Sequence, residues 1–259
     1  MTWSDVEAYV AARAPKSHAG FRGVAASDLT RFERETGTTL PGAYRAFLLR
    51  AGTHAGGLHP LGDCWAHDFP SFAAVPPDEA FLEAGLLRIG LFTDESALTP
   101  SDLYLDVSQG ECDDAMLFDY EQDQLFDRQW LRPRGLSFLD TVSSSFFQQL
   151  QTHRLETRLG IDVARADRAE TRSRIAEVLR TLGLGAVLAP SDRLSTHAGL
   201  EVSALIEART SASYVFVDLG GDDHSALGRV TRALLDGVPG LLRLAGGDVG
   251  ARRSTGGGR

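Results

Sequence analysis

The sequence predicts an α+β fold: a mostly antiparallel sheet with packed helices, followed by a second, smaller α+β unit. Three observations predict it. Apolar residues recur at helical spacing through the first fifty residues. Short alternating runs follow at 86–92, 102–108 and 115–121, bounded by polar turns. A second set of helix and strand patterns then starts near Leu155. A chain of 259 residues holds one large domain or two ordinary ones. The reading places one domain at 1–153, another at 154–250, and a disordered tail at 251–259.

The elements of the first unit follow in order. Trp3, Val6, Tyr9 and Val10 share one helical face from Ser4 on, and Pro15 ends that helix. A loop with Gly20 and Gly23 leads to a second helix, which Ser27 or Asp28 can cap. Leu29 and Phe32 point inward, and Gly37 falls just past its end. Pro41 suits the first position of a third helix, where its missing N–H costs nothing. Tyr44, Phe47 and Leu48 form the buried stripe, and Gly52 can close the helix in a left-handed cap. The three apolar runs are strands. "QGECDD" reads as the hairpin loop between the last two. An amphipathic helix from Ser137 to His153 closes the unit, lined on one side by Leu136, Leu139, Val142, Phe146, Phe147 and Leu150. Ser137 and Asp140 are spaced as a capping box.

In the second unit, residues 167–182 are a helix with Ile175, Val178, Leu179 and Leu182 inward. "AVLAP", "EVSALIEA" and "SYVFVDL" are strands. "DDHSALGRVTRALLDG" is a helix with acids at its start, where the dipole favours them, and "GLLRLAGG" is a last strand.

Composition limits function. Net charge is −9 and is unevenly spread. Residues 1–153 carry 22 acidic and 11 basic side chains; the remainder carry 13 and 15. An acidic body does not suit a nucleic-acid binder, which needs cations to displace counterions. No apolar run is long enough for a membrane span, and the N-terminus has no basic start followed by an apolar core. A cytoplasmic location follows, and Cys64 and Cys112 are expected as free thiols.

One stretch carries a likeness. A helix with Phe32 and Glu33 leads to Gly37, then Leu40-Pro41, Tyr44, Phe47-Leu48, and a loop ending in Gly56-Gly57; Trp3 lies in the helix before. This arrangement resembles the SUKH superfamily, the Smi/Knr-type domain, over residues 1–153. The loop "RAGTHAGG" departs from the family pattern, with histidine where an asparagine usually precedes the glycines. The resemblance implies an α+β fold without enzymatic activity. It implies an immunity protein that binds and blocks a cognate toxin domain, or alternatively a scaffold or regulatory adaptor of the cell-wall signalling type with no toxin partner. Read physically, the motif is architectural: glycines and proline set backbone geometry, and aromatics fill a core.

The candidate surface is acidic. From Asp94 to Asp127 there are eleven carboxylates and no Lys or Arg. Period two puts Asp102 and Asp106 opposite Leu103 and Leu105, and Asp119 and Glu121 opposite Phe118 and Tyr120. The expectation is a solvent-facing carboxylate sheet, with Asp94, Glu95, Asp102, Asp106, Asp113, Asp114, Asp119 and Glu121 contacting a basic partner such as a nuclease toxin.

Other features read as structure. His54, His59, Cys64 and His67 lie close in sequence, but their spacing fits no compact zinc module, so no metal or other cofactor is expected. Cys112 lies among acids, which raise a thiol's pKa, and no nucleophile signature surrounds either cysteine. "DLGGDDHS" lacks a phosphate-loop lysine and reads as a capped turn. An enzyme in the second half would have to use His197, His224 and nearby acids, which form no recognisable triad.

Overall fold

The computed structural model describes residues 1–75, 78–94, 99–122, 124–151, 155–162, 167–209 and 214–244. Glu95, Asp123 and the tail 251–259 lie outside these residues.

Helix α1 (Trp3–Arg13) begins in a capping box: Thr2 accepts from the Asp5 amide, and Asp5 accepts from the Thr2 amide. Pro15 opens a short helix, α2 (Pro15–Ala19), inside the region expected as loop. Strand β1 (Phe21–Arg22) pairs with β2 (His54–Ala55). Helix α3 (Ala26–Thr36) starts after Ala25 with no side-chain cap, so Ser27 and Asp28 lie within its first turn instead of before it. Gly37 ends it in the left-handed conformation, φ 67°.

Helix α4 (Gly42–Ala51) takes Pro41 as its N-cap, one position earlier than predicted. Its first amides are satisfied from outside: Gly42 N–H donates to the Cys112 carbonyl at 2.8 Å, and Ala43 N–H to the Asp113 carbonyl at 2.7 Å. A distant loop therefore supplies the cap, which local sequence cannot show. Gly52 follows in the right-handed region, φ −68°, so the expected left-handed cap is absent. A Cβ there would meet Leu48 backbone and side-chain atoms within 3 Å, so close packing accounts for the glycine.

After β3 (Trp65–Ala66), α5 (Phe69–Ala73) and α6 (Glu79–Glu83), the main meander begins. It comprises β4 (Leu86–Phe92), β5 (Ser101–Asp106), β6 (Met116–Glu121) and β7 (Arg132–Ser137), giving an antiparallel sheet in the order β3-β4-β5-β6-β7. The helix α7 (Phe138–Leu150) follows, with Ser137 and Asp140 forming the predicted capping box.

The second sheet has the order β13-β8-β12-β11-β10-β9, all antiparallel. Its strands are β8 (Leu155–Asp162), β9 (Gly185–Ala186), β10 (Leu194–Ala198), β11 (Ser203–Glu207), β12 (Tyr214–Gly220) and β13 (Leu242–Arg243). Helices α8 (Arg168–Thr181) and α9 (His224–Gly237) cover one face. The predicted helices match well. Strands β8 and β10 were not foreseen, and the run expected at 186–190 contributes only β9.

Helix α7 joins the two sheets. It is buried on nearly every side from Phe138 to Phe147, where a single apolar stripe was expected. Phe138, Val142 and Phe146 belong to the core of the first unit, and that same core includes Leu188, Leu194 and Leu205 of the second. Strand β11 is buried on both faces for this reason: Ala204 and Ile206 face the α8–α9 core, while Leu205 faces the α7 side. Polar bonds cross the same seam. Ser144 Oγ donates to Glu207 at 3.3 Å, Ser203 Oγ donates to Gln151 at 2.9 Å, and Arg193 approaches buried Asp140 at 3.7 Å.

Candidate functional site

The motif residues of the first helices are mostly core. Trp3, Leu40, Tyr44, Phe47 and Leu48 are buried, and Phe47 packs edge-on to Trp3 with ring centres 5.2 Å apart. Phe32 packs against Phe69 at 5.3 Å. Glu33 is a clamp: one oxygen accepts the Leu40 amide at 3.1 Å and the other pairs with Arg45. Glu33 thus ties the end of α3 to the start of α4 across the Leu-Pro corner. Gly56 and Gly57 both have positive φ, 65° and 84°. At Gly56 a Cβ would sit 1.9 Å from the Ser17 carbonyl oxygen, so no larger residue fits without moving α2.

The expected carboxylate face is not formed. In an antiparallel pair, residues directly opposite one another share a face. Leu103 pairs with Asp119, and Asp102 pairs with Tyr120. The register therefore sends Asp102 to one side of the sheet and Asp119 and Glu121 to the other. Alternation along each strand was predicted correctly; the pairing between strands splits the acids.

Both sides are also covered and neutralised. On the Asp102 side, Phe81, Leu86, Tyr104 and Tyr120 make a second small core. Phe81 from α6 stacks on Tyr104 at 4.4 Å. Asp102 is only 5% exposed. It accepts from the Phe92 amide at 2.9 Å and from Gln122 Nε2 at 2.6 Å, and faces Arg88 at 3.5 Å. On the other side Asp119 pairs with Arg134 at 3.3 Å and Glu121 with Arg132 at 3.7 Å. Burial pushes the Asp119 carboxyl above its usual range, against the pull of Arg134, Arg209 and Arg132. These arginines come from neighbouring strands and, for Arg209, from the second unit. A strip without Lys or Arg in sequence is thus laced with guanidinium groups in space.

The remaining acids divide. Asp106 folds back onto Ser108, accepting from its amide at 3.0 Å and its hydroxyl at 2.6 Å. Asp114 is largely enclosed, accepting the Ala115 and Leu139 amides. Its pKa is raised, chiefly by burial and further by Asp140. Asp94 is exposed beyond β4, where its charge raises the Cys64 pKa. Asp113 is exposed, and so is its neighbour Glu111, which the predicted contact set omitted.

Glu111, Cys112 and Asp113 line one wall of a groove of about 830 Å³. Glu33, Thr38, Leu40 and Arg45 line the other. A second depression of about 430 Å³ continues past Thr38 and Thr39 to Glu83, Ser108 and Arg128. Backbone bonds from α4 to Cys112 and Asp113 hold the hairpin loop against the Leu-Pro corner, so the groove is a fixed feature. Among the described residues, Glu83, Glu111 and Asp113 have no ion-pair partner. The charge run contained Glu111 and Asp113. Glu83 lies outside it and reaches the groove only through the fold.

The histidine and cysteine positions can be placed too. His59 and His67 rings lie 6.5 Å apart, while His54 Nδ1 accepts from the Gly56 amide. Burial holds His67 below the usual imidazole range. Among the described residues no three potential ligands converge as a metal site. Both thiols are raised, first by burial and then by neighbouring aspartates, which disfavours the thiolate. In the second unit His197 Nε2 lies 2.7 Å from Ser195 Oγ, both buried, and His224 begins α9. Asp223 caps α9 by accepting the Ser225 amide, as the turn reading predicted.

No helix among the described residues is long and apolar enough to cross a membrane. No family model matches the chain, and no curated protein matches it either.

Proposed function

We propose that this chain is a non-catalytic immunity protein with a SUKH-type first unit, which holds a cationic toxin domain against the groove beside its Leu-Pro corner. The observation that carries this reading is the set of unpaired carboxylates, Glu83, Glu111 and Asp113, along a groove framed by the motif residues Glu33, Gly37 and Leu40. The buried strand acids do not contribute. Like charges held together repel, and a basic partner turns that repulsion into attraction and faster association. The raised thiols and the enclosed Ser195–His197 pair favour binding over covalent chemistry.

The test is growth rescue by co-expression with a toxin encoded beside this chain's gene, together with the affinity of the purified pair. Changing Glu83, Glu111 and Asp113 to lysine is expected to weaken binding at least about tenfold and to reduce its salt dependence. Unchanged affinity removes the groove from the reading. Binding without rescue favours an adaptor over an immunity protein.

A further inference from the structure

The connection between β6 and β7 is held in an unusual way for an exposed loop. Tyr120, 2% exposed, uses its hydroxyl twice: it donates to the Leu125 carbonyl at 2.6 Å and accepts the Asp127 amide at 2.8 Å. Phe126 is thereby turned inward onto Phe81, with ring centres 4.6 Å apart. Asp127 caps the 3-10 turn Arg128–Trp130 through the Gln129 amide, and Leu131 packs back onto the same small core. Arg128 donates to the Ala84 carbonyl at 3.3 Å.

Two apolar side chains on this pinned loop point out. Leu125 is 93% exposed and Trp130 is 55% exposed. Single exposed apolar residues need no explanation. Here Tyr120 fixes the Leu125 carbonyl and the Asp127 amide, and backbone bonds from Trp130 to Asp127 and from Leu131 to Arg128 hold both sides of Trp130. With Phe126 and Leu131 sent inward, less ordering entropy remains to be lost on binding. Tryptophan, with tyrosine and arginine, is enriched at the energetic centres of interfaces, which makes Trp130 the main anchor and Leu125 its accessory. The loop also adjoins the groove: Arg128, two residues before Trp130, lines its further depression together with Glu83.

We propose that Leu125 and Trp130 are a preorganised apolar anchor, and that the groove and this loop together grip a basic amphipathic segment of the partner protein. The inference rests on the reading of the groove given above. Charge complementarity sets the occupant's chemistry: cations for Glu83, Glu111 and Asp113, and an apolar side for the loop. A purely cationic ligand would use only the first half of the surface.

Two probes separate the parts: a short amphipathic peptide built of leucine and lysine, and a lysine-only peptide of equal charge. The paired change Trp130→Ala and Leu125→Ser is expected to lower affinity for the leucine–lysine peptide about tenfold, and to leave the lysine-only peptide unaffected. Glu111→Lys with Asp113→Lys is expected to weaken both. An unchanged leucine–lysine affinity in the loop variant, with the charge reversal still effective, overturns the anchor and spares the groove. A charge reversal that affects neither peptide overturns the groove reading and the anchor with it. A readout without substitution guards against misfolding. Trp3 is buried, so iodide quenching of the wild-type protein reports mainly on the outer tryptophans. The leucine–lysine peptide is expected to protect that emission and the lysine-only peptide is not; equal protection by both overturns the anchor.

Discussion

Replacing Asp102 separates a surface role from a structural one. Were it a solvent-facing contact, Asp102→Ala would weaken partner binding and leave stability within about 0.5 kcal/mol, as most surface changes do. The structure gives a different expectation. The carboxylate accepts two hydrogen bonds, from the Phe92 amide and Gln122 Nε2, and faces Arg88, itself largely enclosed. Hydrogen bonds to a charged group contribute about 1.5–3 kcal/mol each. Removing one partner of a buried pair costs about 3–5 kcal/mol, because the other charge stays behind uncompensated. The Arg88 separation of 3.5 Å is loose, so the lower part of that range applies, about 3 kcal/mol. At about 2–4 °C per kcal/mol for a chain of this size, the melting temperature falls by about 6–12 °C. Urea titration and thermal melting measure both quantities, and Asp113→Ala is the matched control, expected to change stability by less than about 0.5 kcal/mol. Equal, small effects at the two positions would refute the burial of Asp102.

Gly56→Ala is expected to destabilise the first unit by more than the about 1–2 kcal/mol of the left-handed backbone alone, since the new methyl meets the Ser17 carbonyl; denaturant midpoints of Gly56→Ala and of Gly57→Ala, where the space is open, make the comparison. His67 and His197 are both held below 6.5 by burial, so the unfolded chain binds protons more readily than the folded one. Their neutral forms therefore support the fold above about pH 6.5, and that support is lost as the pH falls through 6.5 and below. His67→Phe is expected to flatten this dependence, as measured by urea unfolding across the range, and proton resonances of His67 should titrate below 6.5.

Much of this molecule is legible in its sequence. Helix α7 was read from its capping box, α4 from Leu-Pro and its aromatic stripe, and β12 from its apolar alternation, because each depends on contacts within a few residues. The α+β class follows from those same local signals. What failed was non-local. The cap of α4 comes from Cys112 and Asp113, seventy residues away, so Pro41 could be misplaced by one position. Strand β8 reads "LETRLGID", too polar in sequence to stand out, and becomes a strand by lying between β12 and β13. The same limit applies to the site. The sequence alone determined that this chain carries an acid-rich segment, a set of aromatic core positions and backbone corners requiring glycine. Only the tertiary structure decided which acids meet water. Period two fixes alternation along one strand, but the register between β5 and β6 decides whether two alternations coincide, and here they oppose. The neutralising arginines arrive from other strands and from the second unit. Charge acts through space, so a count taken along the chain locates carboxylates without locating their counter-charges.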